Sequence, residues 1–292
     1  VTNKLSGFWA IPTRRLLQKS FADRAAGSVS SAVFCTERYG GTMKFFPPQL
    51  TKIWVLNRLY RYAMAIYPAI AFRRFGVAAD NLERLGSDYG GWYVPTSELG
   101  PNSIVYSAGI GQDISFDKAL IMNCHCVVHG FDPTPAAIDF VEKQFAERLL
   151  SLQFCFEPVG LWDAETTLQF FAPKTRGWVG SYSALNLQGT EERESILVPV
   201  KRLSTLMREN GHSHIDLLKM DIEGAEYCVI DEIIEKKIPV HWLCIEFDQP
   251  VPFWTTNRAL QRLKEAGYQL CKVDRWNFVF HNEKFSTATA TA

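Results

Sequence analysis

The chain has no excess of either charge: 31 Lys and Arg stand against 31 Asp and Glu. A global pull toward nucleic acid or an anionic membrane is therefore not expected, although a local patch stays open. No stretch reaches the roughly 18 uninterrupted apolar residues of a membrane span. The signal-peptide pattern of basic start, apolar run and small-residue cleavage site is not seen behind Val1. Seven cysteines occur, at 35, 124, 126, 155, 228, 244 and 271, with no CxxC pair among them. An odd number, mostly inside apolar runs, is expected to be buried free thiols in a reducing, cytoplasmic setting. Cys124-His125-Cys126, with His129 nearby, has the wrong spacing for a structural zinc site and lies in an expected strand, so no metal is assigned. No Walker-type loop, Ser-His-Asp set or Cys-His set is visible. Ordinary packing or exposure accounts for His212, His214 and His241.

What is present is a globular composition, 47% hydrophobic and 21% charged, over 292 residues. From about residue 101, strands alternate with helices. Strands are expected at 104–108, 126–131, 152–159, 196–200, 215–220 and 241–247, with a further short one at 167–171. Helices are expected at 113–123, 135–150, 203–210, 225–236 and 257–266, several with apolar residues on one face. Segments 268–273 and 277–281 pair as a hairpin. Such alternation predicts a parallel sheet covered on both faces, with one strand reversed by the terminal hairpin. Residues 174–190, rich in Gly, Ser and Asn, read as a long loop that could shape an acceptor pocket.

Residues 1–84 differ. Segment 50–67 has helical character and then meets Pro68. Val55, Leu56, Leu59, Ala63, Ile66 and Tyr67 share a broad apolar face, with Asn57, Arg58 and Arg61 opposite. A helix packed on the main domain is preferred over a membrane-surface or partner-binding helix. The expected division is a mostly helical extension over 1–84, a main domain over 85–285 and a disordered Ser/Thr/Ala tail over 286–292.

The stretch SIVYSAGIGQDISFD, residues 103–117, carries the strongest local signal. An apolar strand ends on Gly109 and Gly111, and Asp113 stands where a helix begins. In an open parallel sheet, ligands bind beyond the carboxyl ends of the strands, where the strand order reverses. Glycine there permits close approach of a ligand to backbone. Asp132 ends the next strand, 23 residues after Gly109, where an acid can accept two hydrogen bonds from ribose hydroxyls. A dinucleotide would want a third glycine and a bare helix N-terminus for its pyrophosphate. Ile114 stands in place of that glycine, and Asp113 repels phosphate but suits a cationic ligand. S-adenosylmethionine, with a sulfonium, an ammonium and no phosphate, fits better than NAD. The plainer alternatives are an N-cap for Asp113 and a turn former for Asp132.

Six segments resemble the FkbM family of S-adenosylmethionine-dependent methyltransferases and its branch related to methyltransferase-like protein 24. They are LGSDYGGWYVP (85–95), IVYSAGIGQDISFD (104–117), HGFDPTP (129–135), VGLWD (159–163), HIDLLKMDIEGAEYCVI (214–230) and LCIEFD (243–248). The most specific is the run around KMDIEGAE. The resemblance implies an α/β, Rossmann-like class I methyltransferase fold, with a mainly parallel seven-stranded sheet and a terminal antiparallel hairpin. It also implies O-methylation of a small molecule or sugar, with no nucleic-acid partner. The cofactor set it implies is Gly90, Gly91, Trp92, Ser107, Gly109, Gly111, Asp113, Asp132, Pro133, Leu161 and Trp162. Ser107 stands where many members have Asp, so Asp113 or the 89–92 segment could supply the missing contact to the methionine amino group.

Methyl transfer to a hydroxyl needs alignment and a base. Asp221, Glu223 and Glu246 are the candidate bases, with Asp221 first, and Asp248 stands on the same rim. Glu226, in the first turn of a helix, suits a structural role. Acids on this rim could also hold Mg2+, but no spacing demands it. Trp162 could stack on adenine or serve as core. Tyr89 and Trp92 could close over the cofactor or pack a tight turn. The N-terminal region is open to a role as lid, substrate-binding extension or homodimer element. A catalytically inactive binding protein on the same scaffold is the alternative from another class.

Overall fold

The computed structural model describes residues 54–144, 150–171, 182, 195–247, 251, 253–282 and 284. The tail, residues 1–53, the 174–190 loop apart from residue 182, the helical positions 145–149 and Asp248 fall outside these. The side chains of Val55, Leu56 and Leu59 do as well.

A long helix α1 (Trp54–Phe75) comes first, followed by the hairpin β1 (Glu83–Leu85) and β2 (Trp92–Val94) and a 3-10 turn at Thr96–Glu98. Then come β3 (Ile104–Ala108), α2 (Ser115–Cys124), β4 (Val127–Phe131), α3 (Pro135–Gln144), α4 (Leu150–Gln153) and β5 (Phe154–Glu157). Three strands follow, β6 (Gly160–Leu161), β7 (Thr166–Phe171) and β8 (Ser195–Lys201), and after them α5 (Leu203–Glu209) and β9 (Ile215–Met220). The chain continues through α6 (Glu226–Glu235), β10 (Val240–Glu246), α7 (Phe253–Ala266), β11 (Tyr268–Asp274) and β12 (Asn277–Asn282).

Seven strands form the main sheet in the order β11-β12-β10-β9-β3-β4-β5. β3, β4, β5, β9 and β10 run parallel, and β12 is antiparallel to both β10 and β11. Six strands therefore share one direction and one is reversed, as the hairpin predicted. This is the mainly parallel seven-stranded sheet with a terminal antiparallel hairpin that the resemblance implied. Strand order reverses between β3 and β9, so the crevice for a ligand lies at their carboxyl ends.

Every residue of β9 is buried, which a strand covered on both faces requires. Its two charges are accommodated locally. Asp216 accepts the Ile104 amide at 2.7 Å, and Lys219 donates to the carbonyls of Ala108, at 3.1 Å, and Gly109. On one side of the sheet, Tyr106, Leu218 and Leu243 pack against α1, α5, α6 and α7. On the other, Val105, Leu217 and Cys244 pack against α2 and the β2 strand.

Two expectations change here. The helix does not stop at Pro68 but continues to Phe75. Tyr67, Pro68 and Ala71 are buried among the described side chains of α1, and Tyr67 stacks with Phe253 at 4.8 Å and with Trp276 at 5.4 Å. That stacking anchors the helix beside the proline, whose missing N–H costs one helical bond. Ile66, assigned to the packed face, is exposed, as are Tyr62 and Ile70. Second, β6, β7 and β8 leave the main sheet and form a separate three-stranded one, in which β7 and β8 are antiparallel.

The cysteines are also corrected in part. Cys124, Cys126, Cys155, Cys244 and Cys271 are free thiols, but Cys155 is exposed rather than buried. No described helix is long and apolar enough to cross a membrane.

Candidate active site

Gly109 and Gly111 leave β3 at φ +79° and +55°, conformations that L side chains rarely adopt. A Cβ on Gly109 would stand 1.6 Å from the Asp221 carbonyl oxygen. The close approach at this first glycine is to the neighbouring strand's own backbone, and Asp221 N closes it by donating to the Ala108 carbonyl at 3.1 Å. A Cβ on Gly111 would meet nothing within 4 Å, so the space beside the loop is open there.

Asp132, buried at the end of β4, fastens the loop. Its Oδ2 accepts the Gly111 amide at 2.9 Å. Its Oδ1 accepts both the amide and the hydroxyl of Thr134, at 2.8 and 2.6 Å. A carboxylate has about four acceptor positions, so one stays open, on Oδ2. In this geometry the turn takes three of the four, leaving one for a ribose hydroxyl where two were expected. Burial raises the Asp132 pKa, opposed by these hydrogen bonds and by Lys219.

Asp113 is tied in at both oxygens. Oδ1 accepts the Ser115 amide at 2.8 Å, and Oδ2 accepts the Ser87 hydroxyl at 2.6 Å. Ser87 in turn donates its amide to Ser115 Oγ and accepts the Gly90 amide. Asp113 therefore latches the 87–90 turn onto the start of α2. Burial alone would raise its pKa, but the bonds from Ser87 and Ser115, with Lys219 nearby, bring it below the usual value. A Cβ on Gly90 would press on Asp113 Oδ2 at 2.8 Å, and one on Gly91 would meet the Ser87 carbonyl at 2.5 Å. These glycines serve the latch.

Lys219 is the residue the sequence reading missed. It pairs in register with Ser107, its side chain is almost buried, and its ammonium stands 3.6 Å from Asp221 Oδ2. It also acts electrostatically on Asp113, Asp117 and Asp132. A Lys inside an apolar strand ending on Asp was the available signal. Asp117 was missed as well. It is fully buried on α2, and burial raises its pKa against the pull of Lys219. Ser107 lies beside it, and neither Ser107 Oγ nor Asp117 Oδ1 makes a hydrogen bond of normal geometry.

Of the proposed bases, Asp221 keeps 38% of its side chain exposed at the end of β9. Glu246 ends β10, and because Ile245 pairs with Met220 it stands next in register to Asp221. Glu223 adopts φ 55°, followed by Gly224 at 103°. Glu226 accepts the amides of Ile222 and Gly224 at 2.8 and 2.9 Å and is buried, so it holds that turn, as its position suggested.

Three of the expected cofactor residues have side chains in the core. Trp162 is 0% exposed, packed with Leu168, Phe170, Val198 and Val200 of the second sheet and with Ala225 and Cys228, so no ring face is left for an adenine. Leu161 is core in the same way. Trp92 is buried beside Val94 and Phe116, whereas Tyr89 is 80% exposed and does not cover it. Ser107 is also below the surface. Pro133 is half-buried and lies against Gly160.

The profile of the family described as "Methyltransferase FkbM domain" matches residues 98–270. The chain is 24% identical over 181 residues to "Probable methyltransferase-like protein 24" of Homo sapiens, covering 57% of this chain and 41% of that protein. Its Rattus norvegicus counterpart is 23% identical over 184 residues, covering 62% and 43%. The chain thus spans less than half the length of these relatives. Among solved structures, methyltransferase FkbM from Methylobacillus flagellatus KT aligns at 13% identity and a TM-score of 0.43, covering 85% of this chain and 58% of that one. Aeropyrum pernix fibrillarin, crystallised with S-adenosyl-L-methionine, aligns at 10% identity and 0.36, covering 70% and 84%. With the profile match spanning more than half of its length, and the glycine loop and β9 both inside it, the chain belongs to the FkbM methyltransferase domain family.

Proposed function

We propose that the chain is an S-adenosylmethionine-dependent O-methyltransferase acting on a hydroxyl of a sugar or another small molecule. The observation that carries the reading is the junction at the switch point. Gly109 is pressed on the Asp221 backbone while the Asp221 carboxylate stays exposed beside it. The residues fit the cofactor. Open space beside Gly111, one remaining acceptor position on Asp132 and the acids Asp113 and Asp221 suit a nucleoside that carries positive charge and no phosphate. The dinucleotide alternative is disfavoured because Asp113 already takes the Ser115 amide that a phosphate would need.

The bound cofactor supplies an electrophilic methyl group on a sulfonium that departs as a neutral thioether. The chain's part is to hold and aim. Asp132 and the Gly111 backbone bind the ribose side, and Lys219 fixes the two carbonyls that shape the loop. Asp221 takes the proton of the attacking hydroxyl, and Glu246, on the adjacent strand end, orients the acceptor. Orientation of this kind reaches large effective molarities, and a base adds about 10²–10⁴-fold.

The N-terminal assignment also stays a proposal: 1–84 as an extension to a main domain over 85–285. Its helix α1 leaves Tyr62, Ile66 and Ile70 exposed on the side away from the sheet, which would serve a homodimer. Sedimentation of wild type against Ile70→Glu tests that. The cytoplasmic placement drawn from thiol usage stays a proposal as well, supported by the five free cysteines among the described residues.

Isothermal titration with S-adenosylmethionine, with NAD in a parallel experiment, tests the cofactor. Saturable binding of the former alone is expected, and preference for NAD sinks the reading. Turnover on a panel of hydroxylated acceptors, lost in Asp221→Asn with cofactor affinity retained, separates an enzyme from an inactive binding module.

A further inference from the structure

The amino-terminal end of the main sheet holds a second polar cluster, far from the glycine loop. His241 is the second residue of β10, five residues or about 16 Å of strand before Glu246. His281, near the end of β12, pairs in register with Trp242 and stacks on its ring at 4.4 Å. The two imidazole Nε2 atoms stand 3.0 Å apart. Glu98, on the 3-10 turn after β2, brings a carboxylate to the same point, and the three ligand atoms lie within 4.8 Å of one another. From these positions we propose that His241, His281 and Glu98 form a divalent transition-metal site of the zinc class, with its fourth position open to water.

The donor set, two imidazoles and a carboxylate, is one that zinc accepts readily. Ligand atoms around a tetrahedral zinc stand about 3.3 Å apart, given bonds of about 2.0–2.1 Å. The imidazole pair is already near that spacing, and Glu98, an exposed side chain on a short turn, has room to close the rest. A single proton between two imidazoles would account for their approach without an ion. The carboxylate at the same point supplies the third donor that a cation would need.

That carboxylate is oriented. Glu98 Oε2 accepts the indole N–H of Trp242 at 2.9 Å, and Oε1 accepts the Asn81 amide at 2.7 Å. Each oxygen keeps an acceptor position for a cation, and metal-bound carboxylates are commonly hydrogen-bonded in this way. His241 is buried, so its ring is fixed where it faces His281. His214 and Asp216 stand nearby, with Asp216 already accepting the Ile104 amide. An ion here would tie the 3-10 turn, β10 and β12 together and stabilise the fold in proportion to its occupancy. It stands at the opposite end of the sheet from the methyl-transfer rim and takes no part in that chemistry.

The test uses the full chain stripped by a chelator and titrated with Zn2+ by calorimetry and with Co2+ by visible absorption. One equivalent is expected, with the ligand-field bands of four-coordinate Co2+ and a rise in Tm. Glu98→Gln, at an exposed position, and His281→Gln should each weaken binding by more than about tenfold, and Asn81→Ala, which loosens only the carboxylate, by roughly tenfold. Circular dichroism checks that each variant is folded, and if His281→Gln is not, Glu98→Gln decides. No binding to the wild type, equal affinity in Glu98→Gln, or a thiolate-to-cobalt charge-transfer band placing the ion on cysteines would each overturn the proposal. Cofactor binding at the other rim is read in the same titrations, so failure of either site is distinguishable from failure of the other.

Discussion

The two ends of the main sheet bind their polar groups by different means. At the carboxyl end, acids are held mostly by backbone: Asp132 by the amides of Gly111 and Thr134, Asp113 by that of Ser115, Glu226 by those of Ile222 and Gly224. At the amino end, side chains hold side chains: His281 meets His241, and Glu98 receives Trp242 and Asn81. Where backbone donors hold an acid, the loop geometry and the acid stand or fall together. Where side chains hold each other, one substitution can empty the site and leave the fold. Mutations at the rim should therefore cost stability as well as binding, whereas those at the opposite end should cost little without metal.

Gly109→Ala should break the rim most severely. The new Cβ would collide with the Asp221 carbonyl at a backbone angle that alanine disfavours. Overpacking and backbone strain each cost about 1–3 kcal/mol, so a loss of roughly 3–5 kcal/mol is expected, together with cofactor binding. Urea unfolding measures the first and calorimetry the second. A stable variant with normal cofactor affinity would mean that the loop is not the site.

Lys219→Met should come next. It removes the cation that joins the Ala108 and Gly109 carbonyls to the acids around them, and a buried charge left without its partner typically costs about 3–5 kcal/mol. Because Asp221 is partly exposed and can be rehydrated, about 3 kcal/mol is expected. Lys219→Arg tests shape against charge, since the longer planar group should not fit beneath the loop and should restore little.

Asp132→Ala sharpens the contrast in a smaller range. It leaves the half-buried Gly111 donor and the buried Thr134 donors without their acceptor, at about 1–3 kcal/mol of stability. Losing one charge-assisted bond to ribose should weaken S-adenosylmethionine binding roughly 10- to 100-fold. Stability lost with affinity unchanged would make Asp132 a turn former only.

The fold was legible because strands buried on both faces are written as short apolar runs. β9 and the terminal hairpin fall where the runs and their glycines put them. The loop glycines and Asp132 were legible for the same local reason. Trp162 was not, because what buries it is a sheet closed between residues 160 and 201, over a separation that periodicity does not span. His241 and His281 are 40 residues apart and meet only through strand pairing, so no local pattern could join them. Lys219 was visible in the motif, but its buried direction depends on the register that sets it beside Ser107 of β3.

The smallest expected effect, at Asp117, reads the electrostatics of the rim through pH. Burial raises the Asp117 pKa above the ordinary 3.8, so the folded protein keeps that proton to higher pH than the unfolded chain does. Stability from this group is fully present below about pH 3.8 and is lost as pH rises through the folded value. Asp132 shifts in the same direction, and Asp113 in the other, so its contribution is present above 3.8 and lost as pH falls through its lowered value. Asp117→Asn keeps the shape and removes the titration. The variant should match wild type below pH 3.8 and become progressively more stable than wild type toward neutral pH, as measured by urea unfolding across that range. A difference that does not change with pH would show that Lys219 offsets the burial and leaves the folded Asp117 pKa at its unfolded value. Lys219 would then neutralise the rim from beneath rather than only shape its loop.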